Sequence, residues 1–265
     1  GFYFRIIKKH KYITMVIDLK QSLDNLGKNY GIIGMKQSFE DEGVLLNDVV
    51  AFKRVTEVCG LESFVKIGGC EAKSDLYNCI RMGINGVIAP MVETPFALSK
   101  FIDMMEDYSD RADAYVVIES KTSYDNIDAI LENGKDKLKG IVVGRSDFSK
   151  SYNLNKSEVD SSFIYDKVEE ILTKAKKHNY LTILGGSVST RSTQFIKDMY
   201  SKGLLDRIET RNVVIGLNKS NISNIDKVIQ KALDFEIEWL QYKLSISSKL
   251  SSDYSERIGL LKNRK

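Results

Sequence analysis

AYVVIESKTSYDNIDAILENGKDKLKGIVVGRSD, residues 114–147, is the stretch that decides the fold of this chain. It contains two short apolar runs, Ala114–Glu119 and Gly140–Val143, separated by a segment of helical period, Tyr124–Leu131. Both runs are too apolar to belong to strands with one face in water. A strand–helix–strand unit of this kind is typical of a parallel sheet that is covered on both faces.

The same alternation continues in both directions from this unit. The predicted strands are Tyr12–Asp18, Gly31–Phe39, Ser63–Ile67, Gly86–Pro90, Ala114–Glu119, Gly140–Val143, Tyr180–Leu184 and Arg207–Leu217. The predicted helices between them include Leu46–Val58, Glu71–Arg81, Thr94–Met105, Tyr124–Leu131, Phe163–His178 and Thr190–Lys202. Eight such units, without a G-x-G-x-x-G motif after the first strand, favour a closed (β/α)8 TIM barrel over a doubly wound sheet.

One domain accounts for the whole chain. Its 265 residues are 43% hydrophobic, enough for one large core, and no Pro/Gly/Ser-rich linker interrupts them. We therefore predict a single barrel over residues 1–265, with a C-terminal helical extension over about 222–265. The long helix in this extension, from Asn224 to about Leu250, either closes the bottom of the barrel or packs on a partner subunit. The second possibility makes a homo-oligomer the expectation.

Charge and cysteine content restrict the partners. The 39 basic and 36 acidic residues are interspersed, which gives no electrostatic footprint for nucleic acid and suits a small anionic substrate. Three cysteines without a CxxC motif indicate neither a disulfide framework nor a zinc site. No apolar run is long enough to span a membrane, so a cytoplasmic location is expected.

Two carboxylates follow neighbouring strands of the predicted barrel. In such barrels the chemistry lies at the carboxyl ends of the strands, where Glu119 ends one strand and Asp147 follows the next. A buried carboxylate is costly unless it is paired, protonated or bound to a metal. Oxygen ligands of this kind suit Mg²⁺ or Mn²⁺. The alternative is that either carboxylate caps a helix or pairs with Lys121 or Arg145.

Further polar residues fall on the same face. Lys36 lies within a strand, where a desolvated lysine could be a Schiff-base nucleophile. Glu209 and Arg211 share strand parity and could pair with each other. The turn at residues 185–187, GGS, could receive a phosphate or distal hydroxyls, or it could be a tight turn that simply requires glycine.

Three segments resemble, in order, the HpcH/HpaI aldolase and citrate lyase β-subunit family. They are KIGGCEAKSDLYNCIRMGINGVIAPMVET at 66–94, VVIES at 116–120 and GIVVGRSDFSKSYNL at 140–154. The resemblance implies a metal-dependent barrel that makes or cleaves carbon–carbon bonds next to a pyruvate or acyl-CoA unit. It implies that Glu119 and Asp147 bind the metal. It also implies that backbone N–H groups of Gly144, Arg145 and Ser146 hold the carboxylate of a 2-oxo acid.

The chain departs from the family pattern at two places. Family aldolases carry an Arg where this chain has Lys66, and a lysine cannot form the same planar fork. The aldolase branch also has a His after the second strand, where this chain reads SFEDEG at 38–43. The citrate lyase branch lacks that His and has L-E-D, so Glu40–Asp41 or Glu42 could be the match. Either could hold a water or act as a base, or the segment could be a solvated acidic helix entrance.

The sequence therefore predicts a metal-dependent carbon–carbon lyase or aldolase acting next to a small-molecule 2-oxo acid. Glu119 and Asp147 would bind Mg²⁺ or Mn²⁺, Lys66 would bind substrate and neutralise the enolate, and Glu42 would be a further catalytic residue. Two alternatives remain open. One is a citrate lyase-like enzyme acting on an acyl thioester, and the other is a non-catalytic barrel that binds an oxo acid or serves as a scaffold.

Overall fold

Eight strands close into a barrel in the computed structural model, which describes residues 17–262 apart from the Asp41 side chain. The strands β1 to β8 are Ile32–Ser38, Glu62–Lys66, Gly86–Ala89, Asp113–Ile118, Gly140–Gly144, Leu181–Gly185, Arg207–Glu209 and Val213–Gly216. The helices α1 to α11 are residues 17–30, Phe39–Glu42, Leu46–Val58, Lys73–Met82, Pro95–Met105, Lys121–Asp125, Ile127–Gly134, Arg145–Ser151, Ser162–Lys177, Thr193–Ser201 and Ile225–Lys262. The predicted barrel with a long C-terminal helix is confirmed.

Local sequence explains where the helices begin and end, and α5 is an example. Thr94 is its N-cap and accepts a 3.1 Å hydrogen bond from the Ala97 N–H, and Pro95 follows at the first helical position. Leu98, Phe101 and Met105 recur at helical spacing and are buried against the barrel. The helix therefore has a polar start signal and one apolar face, and both are readable from sequence.

The strand prediction was wrong at both ends of the chain. Most of the predicted strand Tyr12–Asp18 lies outside the described residues, and its described end, residues 17–18, belongs to α1. The predicted strand Arg207–Leu217 is two strands, β7 and β8, separated by residues 210–212. Three residues are too few for the crossover that parallel strands need. Consequently β8 runs antiparallel to both β7 and β1, whereas the other neighbouring pairs are parallel.

The barrel interior is apolar below and polar at the face where the parallel strands end, here called the mouth. The lower interior is filled by a compact cluster of Phe64, Ile88, Tyr115, Val117, Val142, Ile183 and Val214. Above this cluster, Lys36, Lys66 and Glu209 lie at the carboxyl ends of their strands, with Glu119 directly after β4. A packed floor and a polar mouth are the usual arrangement of a barrel enzyme.

Helix α11 has 38 residues, which corresponds to a length of about 57 Å. Because β8 runs away from the mouth, α11 begins near the opposite face and returns alongside the barrel. It reaches the mouth at Glu236, which accepts a hydrogen bond from Thr210 Oγ1 in the β7–β8 turn. Trp239 and Tyr242 are still buried, but most of the remaining helix is exposed.

Within residues 17–262, no helix is both long and apolar enough to cross a membrane.

Candidate active site at the barrel mouth

The mouth opens into a cavity of about 600 Å³. The structure brings the side chains or backbone of nearly all the predicted site residues to this cavity. Its lining includes Glu42, Lys66, Glu119, Gly144, Ser146 and Asp147, together with Lys36, Ser38, Gly186, Ser187 and Glu209. Residues separated by more than a hundred positions in the chain therefore share one cavity.

Glu119 has one carboxylate oxygen held and the other directed towards the next strand. Its Oε1 accepts a 2.9 Å hydrogen bond from the backbone N–H of Met91. Its Oε2 lies so close to Gly144 that a Cβ added there would be 2.9 Å away. The side chain is only 5% exposed, and this burial raises the pKa of the Glu119 carboxyl, against the opposing effects of the Met91 hydrogen bond and the Lys66 charge. A nearby cation would favour the ionised form.

Asp147 is the second carboxylate, on the first turn of α8. It is exposed at the cavity, and its negative charge contributes to raising the pKa of Glu119, so the two groups lie within electrostatic range. Across residues 17–262, no three His, Cys, Asp or Glu residues are grouped as a metal site. Glu119 and Asp147 are therefore candidate oxygen ligands, and a Mg²⁺ held by them would take its remaining ligands from water and substrate.

The turn after β6 lies directly against two backbone N–H groups at the start of α8, and a glycine makes this close approach possible. Gly186 has φ 76°, and a Cβ at this position would lie 2.3 Å from Arg145 N and 2.4 Å from Ser146 N. The next residue, Ser187, also has a left-handed φ of 57°, and its Oγ is 2.8 Å from Ser146 Oγ. The first N–H groups of a helix have no partner within the helix. Ser146 and Gly186 both line the cavity, so these N–H groups are candidates for holding an anionic oxygen of a ligand.

The Arg145 side chain points away from the cavity. It is completely buried, forms an ion pair with Asp160, and donates a 3.2 Å hydrogen bond from Nε to the Gly185 carbonyl. Burial lowers the pKa of the guanidinium, and the Asp160 charge opposes this shift. Arg145 therefore does not pair with Glu119 or Asp147, the sequence-based alternative. Its side chain instead ties the start of α8 to the end of β6.

Lys36 and Glu209 form an ion pair across the barrel mouth. Their side chains are 12% and 6% exposed, so the pair is largely desolvated. An ion-paired ammonium is not the free amine that a Schiff-base nucleophile requires. The expectation that Glu209 and Arg211 share strand parity was wrong, because Arg211 lies in the turn between β7 and β8.

Glu42 ends α2 and faces the cavity, whereas Glu40 is exposed outside it. Asn212 Nδ2 donates to both Glu42 oxygens, at 3.1 and 3.3 Å, and also to the Lys36 carbonyl at 3.1 Å. The Asn212 N–H in turn donates a 2.6 Å hydrogen bond to Glu236 of α11. Burial raises the pKa of Glu42, and the Asn212 hydrogen bond opposes that shift.

Sequence reasoning missed three residues of this site: Ser38, Asn212 and Glu236. Ser38 has the same strand parity as Lys36 and pairs in register with Lys66, so its position could have been found from β1. Asn212 and Glu236 gave no such signal. They lie in a short turn and in a long helix, and only the closed barrel brings them to Glu42.

Together these features define a class of protein, the TIM-barrel proteins, here with a cavity lined by both acidic and basic side chains at the carboxyl ends of the strands. Within that class, the chain belongs to the HpcH/HpaI aldolase/citrate lyase family, whose sequence profile matches residues 45–198. The matched region includes Lys66, Glu119 and Asp147. It leaves out Ser38 and Glu42.

Solved structures with the same fold are distant in sequence. Citrate synthase SbnG has a TM-score of 0.60 at 14% identity, covering 89% of this chain and 90% of its own. An HpcH/HpaI aldolase/citrate lyase family protein from Burkholderia cenocepacia J2315 has a TM-score of 0.56 at 14% identity, covering 66% and 77%. An HpcH/HpaI aldolase from Desulfitobacterium hafniense DCB-2 has a TM-score of 0.54 at 10% identity, covering 70% and 88%. No curated protein sequence matches the chain.

Proposed function

We propose that this protein is a metal-dependent carbon–carbon lyase or aldolase that forms or cleaves a bond next to a pyruvate-like 2-oxo acid. One juxtaposition carries the proposal: two carboxylates, Glu119 and Asp147, share a cavity with the start of α8, where Gly186 lies against the Arg145 and Ser146 N–H groups. A 2-oxo acid has a keto oxygen and a carboxylate on adjacent carbons. The keto oxygen suits a metal ion as its partner, and the carboxylate suits backbone N–H donors.

Glu119 and Asp147 are the residues that would hold Mg²⁺ or Mn²⁺. The fit rests on the Glu119 oxygens, because Met91 holds Oε1 and leaves Oε2 beside Gly144 in a nearly water-free position. When bound, the divalent ion would polarise the keto oxygen and offset the charge that develops there. The carboxylates would also orient the oxo acid, since its position relative to them fixes which carbon faces the rest of the cavity.

The remaining groups have separable roles in this proposal. Backbone N–H groups at residues 144–146 bind the substrate carboxylate and fix its orientation. Lys66 at the end of β2 is a cation facing the same cavity, and its charge acts on Glu119. It would stabilise negative charge on the pyruvyl unit as the methyl proton or the carbon–carbon bond is lost. Its ammonium supplies a point charge in place of an arginine fork.

Glu42 would be the proton-transfer group, in the absence of a histidine at this place. It lines the cavity, and Asn212 holds its two oxygens in a fixed orientation. A carboxyl whose pKa is raised by burial is a better base than an exposed one, because basicity rises with pKa. Glu42 therefore can take up a proton from the substrate or from a water next to it.

Pyruvate enolisation tests this function directly. Wild-type protein with Mg²⁺ or Mn²⁺ should exchange the methyl protons of pyruvate for deuterium, and EDTA should abolish the exchange. Glu119→Gln and Asp147→Asn should lose most of it, while Glu40→Gln, an exposed acid outside the cavity, should retain it. A folded protein without metal-dependent exchange would overturn the proposal. If such a protein still bound oxalate tightly, a non-catalytic oxo-acid-binding barrel would replace it.

A second candidate is a lyase acting on an acyl thioester, and the rim of the cavity favours it. Lys150 and Lys156 line this rim, and within residues 17–262 neither forms an ion pair. Both could bind the phosphates of coenzyme A. Solved relatives include a citrate lyase from Burkholderia xenovorans LB400, with a TM-score of 0.52 at 9% identity. For this second function, acetyl-CoA should raise the melting temperature of the protein and pyruvate should not change it. The double variant Lys150→Ala/Lys156→Ala should no longer respond to acetyl-CoA.

We also propose that the protein self-associates through the outer part of α11. Leu240, Leu244 and Leu250 are between 49% and 65% exposed on this helix, and Tyr254 is 66% exposed. Exposed apolar side chains grouped on one side of a helix often mark a contact surface. Sedimentation should show an oligomer for the wild type and a monomer for Leu244→Glu. Monomeric wild-type protein at micromolar concentration would contradict this proposal.

A further inference from the structure

Ser38 is a buried hydroxyl in the cavity wall. It is the last residue of β1, is 2% exposed, and contributes to the lining of the cavity. In the described part of the chain its Oγ has no hydrogen-bond partner. A buried hydroxyl without a partner is unfavourable for the free protein, so its presence in a binding cavity points to a ligand atom as the missing partner.

The position of Ser38 relative to the two carboxylates indicates which ligand atom this is. In a closed barrel of eight strands, β1 lies opposite β5, and Ser38 therefore faces Gly144 and Ser146 across the mouth. It pairs in register with Lys66 of β2. A pyruvyl unit held by Glu119, Asp147 and the residue 144–146 backbone would leave its methyl carbon, the carbon that forms the new bond, towards the open middle of the cavity.

We infer that Ser38 is a specificity-determining residue that contacts the second half of the substrate. This inference rests on the proposed function. In it, Ser38 Oγ forms a hydrogen bond with the oxygen on the carbon that becomes bonded to the pyruvyl methyl carbon. In a 4-hydroxy-2-oxo acid this is the C4 hydroxyl, and after cleavage it is the oxygen of the aldehyde or ketone. The serine donates to that oxygen when it is a carbonyl, and donates or accepts when it is a hydroxyl.

The test uses two ligands that differ only in this oxygen. 2,4-Dihydroxypentanoate and 2-hydroxypentanoate lack the keto group, so neither can enolise or be cleaved, and both can chelate a metal through the carboxylate and C2 hydroxyl. With Mn²⁺, the wild type should bind the 4-hydroxy compound about fivefold more tightly, which corresponds to one net hydrogen bond. Ser38→Ala should bind the two within twofold of each other, and Ser38→Cys, which keeps the size, should fall between.

Ser149→Ala is the matched control. Ser149 Oγ is also buried and also lacks a partner in the described chain, but it does not line the cavity. This variant should keep the fivefold preference. In addition, Ser38→Ala should raise the melting temperature of the ligand-free protein, whereas removal of a hydroxyl with a structural role would lower it.

The two proposals fail in different ways. If the wild type shows no pyruvate exchange and binds neither compound, the proposed function fails and this inference fails with it. If exchange occurs but wild type does not distinguish the two compounds, or Ser38→Ala distinguishes them as well as wild type does, only the role of Ser38 is overturned. Loss of the preference in Ser38→Ala but not in Ser149→Ala supports it.

Discussion

Met91 donates its backbone N–H to Oε1 of Glu119 at 2.9 Å, and it does so with a left-handed φ of 52°. Residues other than glycine are disfavoured in this backbone conformation. The half-exposed Met91 therefore keeps a strained backbone next to the buried carboxylate of Glu119. The hydrogen bond holds one oxygen of Glu119, and the other oxygen lies beside Gly144.

Replacing Met91 by glycine should stabilise the protein relative to Met91→Ala by about 1 kcal/mol, because only alanine keeps the Cβ that is disfavoured at this φ. Chemical denaturation of both variants measures the difference. Both keep the N–H donor, so both should keep metal-dependent pyruvate exchange. Equal stabilities would show that residue 91 does not need the left-handed conformation in solution.

Gly186→Ala should weaken oxalate binding in the presence of Mn²⁺ by roughly 10- to 100-fold, the loss expected when charged oxygens no longer reach their N–H donors. The added Cβ would lie 2.3 Å from Arg145 N, so it would cover this N–H group or push the turn and the start of α8 apart. Gly203→Ala is the matched control, because Gly203 has φ 70° and no atom within 4 Å of an added Cβ. It should lose about 1 kcal/mol of stability and retain oxalate affinity. Similar affinities for both variants would place the carboxylate elsewhere.

Asn212→Asp should move the acid limb of the pH profile of pyruvate exchange to higher pH. Glu42 can act as a base only above its pKa, which burial raises above the ordinary value of 4.5 while the Asn212 hydrogen bond opposes the shift. The aspartate removes that hydrogen bond and adds a negative charge beside Glu42, and both changes favour the protonated carboxyl. Asn133→Asp, an exposed substitution on α7, should leave the profile unchanged. An unshifted limb in Asn212→Asp would remove Glu42 from proton transfer.

Asp160→Ala should lower the free energy of unfolding by about 3 kcal/mol, because it leaves the Arg145 guanidinium buried without its carboxylate. The same substitution at the exposed Asp166 of α9 should cost less than about 0.5 kcal/mol. Urea denaturation compares the two. Arg145 also donates a hydrogen bond to the Gly185 carbonyl, so Asp160→Ala should weaken oxalate binding as well. If the variant is destabilised but keeps full oxalate affinity, the contacts of Arg145 do not contribute to ligand binding.

Local patterns were sufficient for much of this structure. The predicted and observed bounds of α3, Leu46–Val58, coincide, and Glu119 and Asp147 were expected at one face because each follows a strand. The reversal of β8 was missed because the turn within residues 207–217 contains neither Gly nor Pro, so the segment reads as one strand. Likewise, no local signal links Asn212 to Glu42, 170 positions earlier.

The closure of the barrel by β8 also sets the order in which the site can be assembled during folding. Glu119 and Asp147 come from consecutive units, whereas Lys36 and Glu209 are 173 positions apart and meet only when the two ends of the sheet join. Contacts so distant along the chain form late, because the long loop between them must first be closed. We therefore expect an intermediate in which amides of β4 and β5 resist hydrogen exchange before those of β1 and β8. Such a species would contain both carboxylates while the Glu42 side of the cavity was still unformed.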